Sequence, residues 1–145
     1  MKQVLSSWQV WAFGSAVFAA LTAIFAKVGV QGINSDFATL IRTGIILVVL
    51  AAIVTATGQF QAPSSIAPRT WQFLGLSALA TGASWLCYFR ALKIGEAAKV
   101  APIDKLSVVL VAIFAAVFLG ERLSALSWVG VAMVGAGAVV IAVGG

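Results

Sequence analysis

The chain has 145 residues, of which 62% are hydrophobic and 9% are charged, and its formal net charge is +5. A soluble domain of this length still exposes roughly a third of its unfolded-chain surface, so the composition excludes a soluble enzyme, a disordered chain and a disulfide scaffold. It predicts an all-α integral membrane protein, in which excess Lys and Arg indicate topology and not nucleic-acid binding. With no His and a single Cys, Cys87, we expect no metal site and no cofactor.

Long uncharged runs predict five transmembrane helices in one domain that covers residues 1–145, because a spanning helix needs about 20 residues. We place these helices at 8–28, 36–57, 69–93, 98–119 and 124–143. Candidate N-caps and first-turn residues precede or open three of them: Asn34–Asp36, Pro68 and Ser124. Glycines mark two expected helix ends, at Gly95 and Gly120.

Five spans place the termini on opposite faces of the membrane, which we call side A (the N-terminal face) and side B. Four Trp residues lie at predicted helix ends on side A and form half of an interfacial belt: Trp8, Trp11, Trp71 and Trp128. Trp85 lies about 21 Å beyond Trp71 along the same helix at 1.5 Å per residue. Trp85 is therefore not part of that belt.

Three charged residues are predicted to enter the membrane from side B: Arg42, Asp104 and Lys105. The uncharged runs 43–57 and 106–120 each cover about 22 Å of a core near 30 Å, so each helix must draw in the preceding turn. A charge at mid-membrane costs about 2.5–3.5 kcal/mol and usually faces a wet cavity or a partner. Snorkelling of Arg42 and Lys105 to the interface is the alternative. Neighbouring helix positions point about 100° apart, so we expect Asp104 and Lys105 not to pair directly.

Pro102 leaves two interpretations of the fourth helix open. Inside the helix it removes a backbone hydrogen bond, which would give a kinked or broken entry of the kind tolerated beside a cavity. In the first turn of a helix that starts near Ala101 it would cost nothing. Asp104 would then lie at the positive end of the helix dipole.

One face of the third helix combines small, polar and aromatic residues at spacings of three and four: Ala78, Thr81, Gly82, Trp85, Tyr88 and Phe89. Such a face could bind an amine or an amphipathic solute by cation–π and stacking contacts, although ordinary helix packing explains it equally well. We predict one cavity, open toward side B, that binds the solute through five residues: Trp85, Tyr88, Arg42, Asp104 and Lys105.

Small residues also recur along the first and fifth predicted helices, where they allow close helix packing. One five-helix copy is half of the two-repeat plan that transporters use, so we expect a homodimer. The fifth helix should place three small residues near a helix–helix seam: Ala132, Gly135 and Ala136.

The stretch from Ala91 to Leu106 (ALKIGEAAKVAPIDKL), followed by Leu119–Ser124 (LGERLS), resembles the EamA domain of the drug/metabolite transporter superfamily. The start of the second helix, Asn34–Thr43, fits the same family, and the resemblance covers nearly the whole chain. It implies export or exchange of small organic solutes through the bacterial inner membrane by a single-domain member. It does not fix the substrate, because the family handles amino acids, sugars, nucleotide derivatives and drugs. The related small multidrug exporters use a carboxylate in helix one, which this chain lacks.

The predicted function is a secondary transporter that works by alternating access, with a small-molecule solute and the lipid bilayer as partners. Asp104 is the candidate carboxylate for proton coupling. The alternative is a non-transporting membrane subunit that scaffolds or regulates a partner protein, with intramembrane charges that neutralise one another and no cavity. We expect no enzyme, because no His, Ser/Lys or paired-carboxylate motif stands out.

Orientation depends on the Lys and Arg residues of short loops near the spans. Side A carries Lys2, Arg69 and Arg122, and side B carries Lys27, Arg90, Lys93 and Lys99. This weak bias predicts dual topology and an antiparallel homodimer. Counting Arg42 and Lys105 with side B would instead favour one fixed orientation, with side B cytoplasmic.

Overall fold

The computed structural model describes residues 7–144, and within that range every regular element is helical. Three long helices come first: α1 (Trp8–Gly29), α2 (Ser35–Ala56) and α3 (Pro68–Ile94), with a short 3₁₀ turn at Pro63–Ser65. The rest of the chain forms α4 (Ala97–Asp104), α5 (Ser107–Phe114) with a π-helical continuation (Ala115–Leu119), and α6 (Ala125–Val143). The all-α prediction is confirmed, and the five predicted helices begin and end within about one residue of these bounds.

Within residues 7–144, four stretches are long and apolar enough to cross a membrane: α1, α2, the segment Ala97–Leu119, and α6. The third predicted span, α3, is not among them, although at 27 residues it has ample length. Its interior lacks charge from Thr70 to Phe89 but carries Gln, Ser, Thr and Tyr side chains, which lower its hydropathy. The described part of the chain is thus all-helical, with four candidate membrane spans.

Local hydrogen bonds explain why the helices begin where they do. The Asn34 side chain accepts hydrogen bonds from the backbone N–H groups of Asp36 (2.8 Å) and Phe37 (3.2 Å), which caps α2. The Ser124 hydroxyl accepts one from the N–H of Ser127 at 3.1 Å, which caps α6. Pro68 is the first residue of α3, where its missing N–H costs nothing.

The predicted helix end at Gly120 is confirmed, and its geometry requires glycine. Gly120 has a φ of 69°, in the left-handed region that side chains with a Cβ rarely adopt. Its N–H and that of Glu121 both donate to the carbonyl oxygen of Ala115, the latter at 3.1 Å. This closure ends the π-helical segment and satisfies a terminal carbonyl.

The structure decides between the two interpretations of Pro102. Because α4 begins at Ala97, Pro102 lies inside the helix and not in its first turn. The helix ends two residues later at Asp104, Leu106 N donates to Ile103 O at 3.0 Å, and a new helix begins at Ser107. The fourth span is therefore interrupted at Lys105 and Leu106, just after the proline, whereas the backbone hydrogen bond that Pro102 cannot make is the one to Ala98 O on the preceding turn. The first-turn interpretation, with Asp104 at the start of a helix, is wrong.

The chain divides into two compact units, which we describe separately. The first comprises α1 up to Phe25 and the chain from Ile94 onward, and in it α4 and α5 pack against α6. A Cβ placed on Gly135 of α6 would lie 3.2 Å from Cγ2 of Val109 on α5, so the missing side chain permits this close packing. The second unit, Ala26–Lys93, contains α2 and α3.

Candidate solute-binding site

Two contacts fix how α2 and α3 pack in the second unit. Arg90 donates from Nη2 to Oδ2 of Asp36 at 2.7 Å and from Nε to Oδ1 at 3.3 Å, a bidentate ion pair. Further along α2, the guanidinium of Arg42 lies over the ring of Trp85. Residue numbers rise along α2 while those of their α3 partners fall. The two helices therefore run antiparallel, side by side.

Arg42 lies against aromatic rings inside an apolar helix. Its Cζ is 4.2 Å from the centroid of the Trp85 ring and 5.6 Å from that of Phe89, both within cation–π range. Phe89 is only 3% exposed, whereas Trp85 and Tyr88 are half-buried. Arg42 sits about 10 Å from the start of α2 at 1.5 Å per residue. The guanidinium lies closer to Trp85, which is farther from the end of α3 than Phe89 is. The side chain therefore does not extend toward the membrane interface, as simple snorkelling would require.

The charge of Arg42 is not neutralised by a neighbouring carboxylate. Among residues 7–144, no Asp or Glu lies within ion-pair distance of it, and it makes no hydrogen bond to any residue in that range. Its guanidinium remains protonated in proteins and carries five N–H donors. This part of α2 and α3 therefore holds a net positive charge with free donors beside two rings.

The hydroxyl groups near Arg42 are used by their own helices. Thr39 donates to Ser35 O at 2.9 Å and Thr43 donates to Thr39 O at 2.8 Å. On α3, Thr81 donates to Ser77 O at 2.8 Å. These bonds satisfy the hydroxyl donors locally, as threonine commonly does within a helix. These threonines therefore offer no free hydroxyl donor beside Arg42.

Asp104 and Lys105 lie in the other unit, where they pair with each other. Lys105 Nζ is 3.2 Å from Oδ2 of Asp104, so the expectation that these neighbours do not pair is wrong. That expectation assumed a continuous helix, but α4 ends at Asp104 and Lys105 lies in the turn that follows. The long, flexible lysine side chain can then fold back onto its neighbour.

The structure therefore brings together Arg42 and Trp85, with Tyr88 one turn along α3 from Trp85. Sequence reasoning left two features out of the predicted site: the second ring, Phe89, and the Asp36–Arg90 pair. Opposite charges at the start of α2 and the end of α3, both assigned to side B, could have indicated that pair.

Two lysine contacts tie the same end of the unit, from Lys27 Nζ to Leu92 O (2.7 Å) and from Lys93 Nζ to Ile33 O (2.6 Å).

Of the three residues predicted at a helix–helix seam, Gly135 packs on Val109 of its own chain, while Ala132 and Ala136 are exposed. The seam at Gly135 thus exists within one chain. The prediction of a homodimer remains a prediction.

Comparison with known proteins identifies the family. Residues 6–143 match the EamA-like transporter family. A protein of Sinorhizobium sp named "Uncharacterized transporter in cobO 3'region" is 69% identical over 137 residues, which cover 94% of this chain and 97% of that protein. No solved structure matches the chain. These similarities confirm the resemblance seen in the sequence and indicate a membrane transporter. The chain belongs to the EamA-like transporter family and is a multi-pass membrane protein.

Proposed function

We propose that this protein is a secondary transporter that exports or exchanges a small organic solute across the bacterial inner membrane. The observation that carries this proposal is Arg42, a permanently charged side chain in an apolar span, set against Trp85 and Phe89. A charge in such a position usually faces a water-filled path or a partner. Its free donors beside aromatic rings suit the binding of an organic solute.

The scaffold alternative accounts for only part of the charge arrangement. It expects intramembrane charges to neutralise one another, as Asp104 and Lys105 do. It offers no reason for a guanidinium in α2 that has no carboxylate partner among the described residues. Membership of a transporter family adds to this preference.

We propose that α3 is the fifth span, although its hydropathy is lower than that of the others. It is one continuous helix of 27 residues, about 40 Å long at 1.5 Å per residue. It runs antiparallel to α2, which is a clear span, and contacts it both at Asp36 and at Arg42. A helix with polar side chains can cross the membrane when those groups face neighbouring helices or water.

The proposed transport cycle uses alternating access about a site that includes Arg42, Trp85 and Tyr88. Asp104 and Lys105 are proposed to act in the same cycle, with Asp104 as the candidate for proton coupling. Five spans and a weak charge bias support dual topology and an antiparallel homodimer, which would supply the second repeat. Lys2, one of the side-A charges that enter this bias, lies outside the described residues.

Transport by the purified protein in liposomes tests the function. Vesicles are screened for uptake and counterflow of amino acids, sugars, nucleotide derivatives and drugs, with protein-free vesicles as the blank. We expect at least one class to be transported, and Arg42→Gln to reduce its rate. Arg69→Gln is the matched control, because Arg69 also lies over a ring, Phe73 at 5.8 Å, but in the first turn of α3. Absence of transport for every class by folded protein would favour the scaffold.

Reporter fusions at the C-terminus test the orientation. Dual topology requires both cytoplasmic and periplasmic signals from one fusion. Adding Lys residues after Gly145 should then select one orientation and abolish activity, and co-expression of an oppositely biased chain should restore it. Normal transport by a chain held in one orientation would rule out the antiparallel dimer.

A further inference from the structure

We propose that the transported solute carries an anionic group, a carboxylate or a phosphate, which Arg42 binds while Trp85 contacts the organic part. This inference rests on the proposed function and assigns its substrate class. Of the two solutes expected from the sequence for the aromatic face of α3, an amine or an amphipathic solute, it disfavours the amine.

The position of Arg42 disfavours an amine. An amine would bind Trp85 through the electron-rich face of the ring, but the Arg42 guanidinium lies over that ring at 4.2 Å from its centroid. Phe89, the next ring, is also within range of the same guanidinium and is 3% exposed. A second cation brought to these rings would be repelled by a like charge a few ångströms away, in a setting where water screens it poorly.

The same arrangement favours an anion. A guanidinium matches carboxylate and phosphate oxygens through paired N–H donors, and none of the donors of Arg42 bonds to a residue in the described range. The carboxylate nearest to it along α2, Asp36, is already held in two bonds by Arg90. An incoming anionic solute would therefore supply the missing counter-charge, and its organic part would lie against the half-buried Trp85.

The test measures whether an anion in water can reach the charge beside Trp85. In a variant that keeps Trp85 and replaces Trp8, Trp11, Trp71 and Trp128 with Phe, fluorescence quenching by iodide, caesium and neutral acrylamide is compared in phosphatidylcholine vesicles. We expect iodide to quench more strongly than caesium. Arg42→Gln should lower iodide quenching by at least about threefold, the effect of one charge at roughly 7 Å with the full screening of water, and leave acrylamide quenching unchanged. Arg42→Lys should retain much of the iodide preference.

Two results would overturn the proposal. An iodide-to-caesium quenching ratio that is the same in Arg42→Gln as in the variant that keeps Arg42 would mean that Arg42 does not set the local charge. Protection from all three quenchers would mean that no solute reaches Trp85. Vesicles that also contain phosphatidylglycerol distinguish the source of the anion. Because an anionic membrane repels iodide at every site, the readout is the difference in iodide quenching between Arg42 and Arg42→Gln in the same vesicles. If phosphatidylglycerol abolishes that difference, a lipid headgroup occupies Arg42 and the solute assignment is wrong; if the difference persists, the free-solute assignment is supported.

A second measurement keeps the native sequence. Incorporation of 5-fluorotryptophan gives one ¹⁹F resonance for each Trp, and Trp85→Phe identifies the signal of Trp85. Titration with indole-3-acetate should shift this signal, whereas tryptamine, which has the same ring and the opposite charge, should not. A shift with tryptamine alone would contradict the inference. Failure of the proposed function has a different signature, because transport would be absent while the Arg42-dependent iodide preference persists.

Discussion

The two places where charge enters the membrane-spanning helices differ in how that charge is balanced. In α2, Arg42 lies on the rings of Trp85 and Phe89 and keeps its net positive charge. At the break after α4, Lys105 pairs with Asp104 at 3.2 Å, which leaves that segment neutral overall. Location within a span made these residues equal candidates for a site. They differ in the partners of their charges: Asp104 and Lys105 pair with each other, whereas Arg42 lacks a counter-charge in the described part of the chain.

Residue spacing and backbone together explain this difference. On the continuous helix α2, an ion pair would need an acidic residue three or four positions from Arg42, and those positions hold Ala38, Thr39, Ile45 and Ile46. Lys105 lies in a turn between two short helices, where a flexible side chain can return to the preceding residue. The interruption therefore permits a pair between sequence neighbours that a continuous helix would point about 100° apart.

The largest effect is expected from Arg42→Gln, which removes the unbalanced charge. Hydrogen bonds to charged groups contribute about 1.5–3 kcal/mol, so solute affinity or transport rate should fall by roughly tenfold or more. Membrane insertion should not suffer, because loss of a charge lowers its cost. Initial rates in liposomes, normalised to inserted protein, check both statements. An unchanged rate, or an equal loss in Arg69→Gln, would remove the special role of Arg42.

A smaller effect is expected at the neutral pair. Asp104→Asn and Lys105→Gln should each impair transport. Each single variant also leaves one charge of the pair without its partner, so the double variant should insert into the membrane at least as well as either single variant. If Asp104 carries the coupling proton, Asp104→Asn should abolish accumulation driven by an imposed pH gradient but keep solute counterflow. Counterflow and gradient-driven uptake in the same vesicles distinguish these steps. Full gradient-driven uptake in Asp104→Asn would exclude its proposed role.

The break itself can be tested with Pro102→Ala. Alanine restores an N–H that can donate to Ala98 O and removes the ring from the turn before the interruption. Both changes favour a continuous helix, so the amides of Lys105 and Leu106 should exchange with deuterium about tenfold more slowly. Ala98→Gly is the control, because it changes the same helix without closing the break. Unchanged exchange in Pro102→Ala would show that tertiary packing, and not proline, holds the interruption.

The smallest effect is expected at the Asp36–Arg90 pair, whose side chains are 42% and 66% exposed. Ion pairs this accessible to solvent contribute little, so Asp36→Asn should lower Tm by only a few degrees. Thermal unfolding of both single variants and the double variant measures the coupling. A loss of stability larger than that of Arg42→Gln would mean that this pair, and not the aromatic contact, holds α2 to α3.

Helix positions could be predicted from sequence because local chemistry sets them. Asn34 and Ser124 cap their helices through their own side chains, and Gly120 supplies the left-handed residue at a helix end. The place of the break was harder to predict, since a proline indicates a disturbance but its exact position depends on packing around it. No sequence pattern predicted the π-helical segment at Ala115–Leu119.

The members of the candidate site could be named from sequence, but their pairing could not. Arg42 stood out as a charge in a short apolar run, and Trp85 as an aromatic residue away from the interfacial belt. Whether they touch depends on the register between α2 and α3. The loop that joins the two helices and the Asp36–Arg90 contact at their opposite end set this register together. Phe89 was assigned to the right face of α3, yet periodicity alone does not reveal which ring a guanidinium approaches.

The lysine contacts at the end of the second unit affect how freely this sequence can vary. Lys27 and Lys93 donate to the backbone carbonyl oxygens of Leu92 and Ile33, not to their side chains. Every amino acid supplies such an acceptor, so homologues can exchange the side chain at position 33 without losing the attachment. Leu92 is completely buried and is constrained for a separate reason, its packing. Within the connection between α1 and α2, position 33 is therefore open to sequence drift as long as Lys93 remains, whereas the fully buried Val30 and Gly32, with its φ of 77°, are constrained.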